Sequence, residues 1–171
     1  MRHIISILLQ NESGALARVS GMFAARGYNI ESLTVAPTQD PALSRLTLVT
    51  IGSDAVIDQI VKQSRKLIDV VEVLDVTARE HGECELMLVK LRVGRQAADR
   101  LEALCAERDI RVLDRDGELH ILQFAGAGND VDETGRELAA IGEILEQVRS
   151  GTAAIEFGSR VLGARVLAET G

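Results

Sequence analysis

Aromatic residues are nearly missing from this chain of 171 residues. Phe23, Tyr28, Phe124 and Phe157 are the full set, and there is no Trp. Gripping single-stranded nucleic acid by stacking needs an aromatic platform, which scattered rings do not form. Positive charge is short as well. Lys and Arg number 19 against 26 Asp and Glu, a formal net charge of −7. Residues 1–80 hold 8 basic and 9 acidic side chains, and residues 81–171 hold 11 and 17. Neither half has a basic cluster, and an acidic chain is a poor partner for a phosphate backbone. The two cysteines, Cys84 and Cys105, form no CxxC pair. Their spacing excludes a zinc site and a disulfide framework, so both are expected as reduced thiols in or near the core.

Long apolar runs are also lacking. No stretch approaches the roughly 18 residues of a membrane span. The start imitates a signal peptide, with Arg2 and His3 before Ile4–Leu9 and an A-x-A sequence at Ala15–Ala17. That apolar run is six residues and contains Ser6, shorter than the roughly 7–15 residues a signal segment needs. The expected location is therefore cytoplasmic, and the glycosylation sequon Asn11-Glu12-Ser13 is idle there.

What is present is one pattern, twice. Residues 3–9 are branched and apolar and read as a buried strand. Leu16, Val19 and Phe23 then recur at helical spacing, and Gly27 marks the stop. Residues 29–36 and 45–51 read as strands, with both prolines, Pro37 and Pro41, in the loop between them. Ser53 opens a helix that turns Val56, Ile57, Ile60, Val61 and Leu67 inward, and residues 69–77 close the unit. Residues 79–84 read as a linker. The order then repeats: a strand at 85–93, a helix at 95–108, strands at 110–114 and 118–124 around Asp116-Gly117, a helix at 130–146 and a weaker strand at 149–157. Residues 158–171, with three glycines, read as a loosely held tail. The fold class is α+β, two ferredoxin-like βαββαβ domains at 1–78 and 85–163, with 164–171 beyond them. Such a domain leaves one sheet face open, so dimers or docking of the halves are expected.

Signals for catalysis are thin. His3, His81 and His120 belong to no HExxH motif or His/Cys cluster, and there is no GxSxG or Walker sequence. Gly126-Ala127-Gly128 lacks both the third glycine and the parallel context of a dinucleotide loop. It reads as a strand-to-helix turn capped by Asn129 or Asp130.

The informative stretch is Asn11-Glu12-Ser13-Gly14-Ala15-Leu16, between the first strand and the first helix. A helix N-terminus offers free N–H groups and the positive end of the dipole to a carboxylate. Gly14 lets a ligand approach the backbone. Asn11 has a donor and an acceptor for the two ends of a zwitterion, and Leu16 adds apolar surface. The alternative is a plain cap, with Ser13 or Asn11 capping and Gly14 making the turn. A second stretch, Arg26-Gly27-Tyr28-Asn29-Ile30-Glu31-Ser32, leads into the second strand. It reads either as a helix stop and strand start or as part of an edge. Two copies paired along that edge would bring Asn29 and Ile30 of one to the Gly14 loop of the other. Arg18 and Arg26 fit a solvated helix face.

The segment SILLQNESGALARVSGMFAARGYNIESLTVAPTQDPALSRLTLVT resembles the start of the small regulatory subunits of acetohydroxyacid synthase (acetolactate synthase), an ACT domain. KQSRKLIDVVEV, the stretch beginning ELMLVK, and VRSG near residue 148 are similar to the rest of that family, so the likeness spans about residues 2–163. The resemblance implies a non-catalytic chain. It would bind and activate the large catalytic subunit, which forms 2-acetolactate from pyruvate, and confer feedback inhibition by valine, or by leucine or isoleucine. It further implies a homodimer through the ACT domains, with the effector between them at Asn11, Gly14, Ala15, Leu16, Asn29 and Ile30. Thiamine diphosphate, magnesium and FAD are expected on the catalytic subunit and no cofactor on this chain. The rivals are a stand-alone ACT-type amino-acid sensor of another enzyme, an RNA-binding domain, a small hydrolase and a metal carrier. The last three lack, in turn, aromatics and a basic face, an Arg or His poised over an anion loop, and a CxxC.

Overall fold

A computed structural model describes residues 1–163. The chain divides into two compact units, the first built from Met1–Gly82 together with residues 152–163, the second from Glu83–Gly151. In the first unit the order is β1 (Arg2–Gln10), α1 (Ala15–Ala25), β2 (Ser32–Pro37), β3 (Leu43–Ile51), α2 (Asp54–Ser64) and β4 (Val70–Asp75). The strands lie in the order β2-β3-β1-β4, and each pair is antiparallel. This is the expected βαββαβ arrangement.

Alternation along β1 explains the packing. Ile5, Ile7 and Leu9 point to the helices and join Leu46, Leu48 and Val73 of the sheet with Val19, Phe23, Ile57 and Ile60 of α1 and α2. The even positions point the other way and are buried too, so seven consecutive residues of β1, His3–Leu9, are out of water. Ile4 joins a second cluster with Val49, Leu74, Val76 and Ala154, and Leu162 packs on it.

Ala154 and Leu162 come from the end of the chain. A short strand β9 (Ala153–Glu156) and the residues after it cover the sheet face that a lone ferredoxin-like domain leaves open. Arg45 donates from Nη2 to the Ala154 carbonyl at 2.7 Å and to Ser6 Oγ at 3.2 Å. Arg79 pairs with Glu156 at 2.6 Å, and Arg160 with Glu72 at 3.2 Å. The Gly163 N–H donates to Glu72 at 2.6 Å. Gly163 has φ +87 and lies so close to the Leu8 side chain that a Cβ would overlap it, so the approach requires glycine. Residues 152–163 therefore belong with the first unit and not with the second domain at 85–163. Residues 158–163 are anchored and not a loose tail. Residues 164–171 lie outside the described residues.

The second unit runs β5 (His81–Arg92), a 3₁₀ turn (Arg95–Ala97), α3 (Ala98–Glu107), β6 (Arg111–Asp116), β7 (Leu119–Gly126), α4 (Gly128–Ile141) and β8 (Glu143–Arg149). Its strand order, β6-β7-β5-β8, repeats that of the first sheet. Met87, Val89, Leu91, Leu122 and Phe124 meet Leu101, Leu104, Val131 and Leu138 in its core. Arg149 sends Nε and Nη2 to both oxygens of buried Glu85, at 2.9 and 2.8 Å, and Nη1 to Asp132 on α4. That fork ties β8 to β5 and α4. Leu86 and Val148 on the opposite sheet face are exposed.

Five local expectations are corrected. The helix expected over 130–146 stops at Gly142, whose backbone is extended. Residues 143–149 form β8 because β5 needs an antiparallel neighbour. The strand expected at 149–157 is accordingly only Ala153–Glu156. The linker expected at 79–84 is largely strand, since β5 begins at His81. Cys84 is exposed, while Cys105 packs beside the second core. Neither Asn129 nor Asp130 caps α4, whose N-cap is Ala127 with no side-chain bond.

Ala154→Asp places a carboxylate among Ile4, Val49 and Leu74 and is expected to cost about 2–4 kcal/mol. Thermal unfolding checks this: Tm falls by several degrees, and an unaltered Tm contradicts the covering role of residues 152–163.

Candidate functional site

The β1–α1 loop is held by backbone bonds at each step. The Asn11 N–H donates to the Ala42 carbonyl at 2.7 Å, and Asn11 Nδ2 to the Pro41 carbonyl at 2.9 Å. The Glu12 N–H donates to Gln10 and the Ala15 N–H to Glu12. Gly14 is the N-cap residue, left-handed at φ 87, and no side chain caps the helix. The capping roles considered for Ser13 and Asn11 are therefore not found. The Arg18 N–H bonds the Gly14 carbonyl at 3.0 Å. Among the described residues, the Leu16 and Ala17 N–H groups meet no backbone acceptor outside the helix. They are the free donors of the α1 N-terminus. Leu16 is 38% exposed. The helical spacing suggested an inward Leu16, but Ala15 takes the buried position beside Val19. Leu16 is left as apolar surface at the loop.

Sequence reasoning missed one feature of this loop. Arg18 is not a freely solvated cation. Its Nε and Nη2 donate to the two carboxylate oxygens of Asp69, and Asp69 is only 4% exposed. The same guanidinium lies over Gly14, with Nη1 3.0 Å from where a Cβ would stand. The hydrogen bonds from Arg18 hold the Asp69 carboxyl below the usual carboxylate range. No local sign in the sequence marks this pair, whose members are 51 positions apart.

Asn29 and Ile30 lie at the other end of α1. Asn29 Nδ2 donates to Glu31 at 2.5 Å, and the Asn29 carbonyl accepts from Thr50 Oγ1 at 2.6 Å. Ile30 packs partly on the first core. An α1 of 11 residues spans about 16 Å at its rise per residue. One chain therefore brings Asn11, Gly14, Ala15 and Leu16 together but does not bring Asn29 and Ile30 to them. The latter two lead into β2, an edge strand, so they are available to a neighbour along that edge.

A ferredoxin-like βαββαβ unit whose first helix opens on a left-handed glycine is the class of module that this geometry defines. Comparisons with known proteins are specific. Residues 5–72 match the model of the AHAS small subunit-like ACT domain, and residues 84–158 match that of the small subunit of acetolactate synthase. The chain is 41% identical over 162 residues to the acetolactate synthase isozyme 3 small subunit of Escherichia coli, covering 95% of this chain and 99% of that one. It is 34% identical over 160 residues to a probable acetolactate synthase small subunit of Archaeoglobus fulgidus, covering 94% and 99%. The crystal structure of the Thermotoga maritima small subunit superposes with a TM-score of 0.82 at 30% identity, over 94% of this chain and 99% of that one. The chain belongs to the family of acetolactate synthase small subunits. It is a regulatory subunit, non-catalytic on its own, of an enzyme that forms acetolactate from pyruvate. Among the described residues, no helix is long and apolar enough to cross a membrane.

The Arg18–Asp69 pair sets a pH test. Because the folded carboxyl titrates below its unfolded value of about 3.9, the stability it contributes is present above that pH. It is lost as pH falls through the folded value. The stability gap between the parent and Asp69→Asn should stay level from neutrality to about pH 5 and close on further acidification. Denaturant melts at stepped pH check it, and a gap that stays constant through the acid range contradicts the ion pair.

Proposed function

We propose that this chain activates the thiamine-diphosphate catalytic subunit of an acetolactate synthase and makes it sensitive to a branched-chain amino acid, with valine as the first effector to test. The observation that carries the reading is the left-handed Gly14 at the start of α1, with free N–H groups behind it and Leu16 exposed beside it. The amino acid's carboxylate takes the free N–H groups just behind Gly14, those of Leu16 and Ala17. Asn11 and the exposed face of Leu16 meet its ammonium and its branched side chain. Asn29 and Ile30 of a second copy, paired along β2, complete the site from across the dimer. Thiamine diphosphate, magnesium and FAD reside on the catalytic subunit.

Binding at a seam between two copies stabilises the dimer by mass action. It reaches the catalytic subunit through whatever contact differs between the liganded and free dimers. Couplings of this kind amount to about 1–3 kcal/mol, or about 5–150-fold in affinity. That is enough for a feedback signal.

Gly14→Asp tests the site. The new side chain is strained at φ +87, and its Cβ meets the Arg18 guanidinium. It also sets a negative charge where the effector carboxylate belongs. Acetolactate formation by the catalytic subunit, with and without valine, is the measurement. Added parent chain is expected to raise the rate, and valine to lower it again. The variant is expected to raise the rate and lose the valine response. A valine response equal to the parent's contradicts the placement of the effector.

A further inference from the structure

The loop proposed to bind the effector is fastened from outside, and at both of its ends, by one residue. The Asp69 carbonyl accepts the Gln10 N–H at 2.8 Å, where β1 ends. The Asp69 carboxylate takes two donors from Arg18, one turn into α1. Between those anchors lie Asn11, Gly14, Ala15 and Leu16. Asp69 itself immediately precedes β4, whose first residue is Val70. It is buried while the Arg18 side chain is 45% exposed, so the acid is the fixed member and the base is the one being held. Two of the three guanidinium nitrogens are spent on Asp69. The third, Nη1, is turned toward Gly14.

We propose that Asp69 is the positioning residue of the effector loop, acting through Arg18, whose unspent Nη1 donors face the effector carboxylate at Gly14. This rests on the reading of the Gly14 loop as the effector site and adds to it the group that sets the charge there. A planar fork held at two points is directed at the third, whereas an unpaired Arg would sample many rotamers and solvate its charge elsewhere. The arrangement favours a carboxylate-bearing ligand over a neutral analogue of the same shape. Valine is then preferred to valinamide by more than the helix N-terminus alone provides.

The test uses the full chain and follows the rise in Tm with valine concentration, with valinamide alongside. The variants are Asp69→Asn, Arg18→Gln, the double variant and Arg18→Lys. Ile60→Val, in the core under α2, is the control for destabilisation alone. Asp69→Asn and Arg18→Gln are each expected to raise the half-saturating valine concentration tenfold or more and to shrink the preference over valinamide. The double variant should lie near the single ones, because the two residues act as one unit. Arg18→Lys, which keeps charge without the fork, should fall between. Ile60→Val should lower the ligand-free Tm and leave the valine midpoint in place. If burying Asn at 69 prevents folding, Arg18→Gln decides the matter from the half-exposed partner.

Variants within twofold of the parent overturn the proposal while leaving the effector reading intact. A control that shifts the midpoint as far as the pair does also overturns it, since loss of stability would then be the cause. A parent chain with no response to valine, leucine or isoleucine removes the effector reading, and this proposal with it.

Discussion

A strand buried on both faces needs two covers, and β1 is such a strand. From His3 to Leu9 it is out of water. The helices α1 and α2 shield Ile5, Ile7 and Leu9. Something else has to shield Ile4 and its neighbours, and the chain supplies it from its far end through Ala154 and Leu162. The cost of leaving Ile4, Val49, Leu74 and Val76 in water would be several kcal/mol at about 25 cal/mol per Å². The whole second unit, Glu83–Gly151, is thereby an insertion in the chain path of the first. Both of its ends are joined to segments that belong to the first unit.

Much of the fold was legible because periodicity was honest where side chains pack. The run at 3–9, the Val19 and Phe23 spacing and the Ile57 and Ile60 spacing all mark core faces that exist. Legibility failed where the deciding partner was distant in sequence. Residues 143–149 continue a helical pattern through Ile141 and Leu145, yet the free edge of β5 claims them as a strand. Residues 152–163 hold six apolar side chains, but Ile155, Phe157 and Val161 are exposed and the packing falls to Ala154 and Leu162, so no periodicity announces a sheet cover. Their role depends on a face built about a hundred residues earlier, and on charges such as Arg45, Arg79 and Glu72 that bind the segment from below.

The candidate site divides in the same way. Glycine in a loop between a strand and a helix is a local signal, and the left-handed Gly14 fulfils it. Asn29 and Ile30 were joined to that loop only through a second copy paired along β2, and the length of α1 keeps them from it within one chain. Arg18 had no local signal at all, since a basic residue on an amphipathic helix is ordinarily solvated. Its partner, Asp69, is 51 positions away, and only the fold brings them together. Charge placed by a distant buried acid is thus the part of the site that a sequence reading leaves out.

The central claim is that a branched-chain amino acid settles at the start of α1 and at the start of β2 of a neighbouring copy. Amide NMR of the isotopically labelled chain, titrated with valine, tests it most directly. Saturable changes concentrated at Gly14, Ala15, Leu16, Asn29 and Ile30 are the expected result. Changes confined to residues 83–151, or no saturable change anywhere, contradict it.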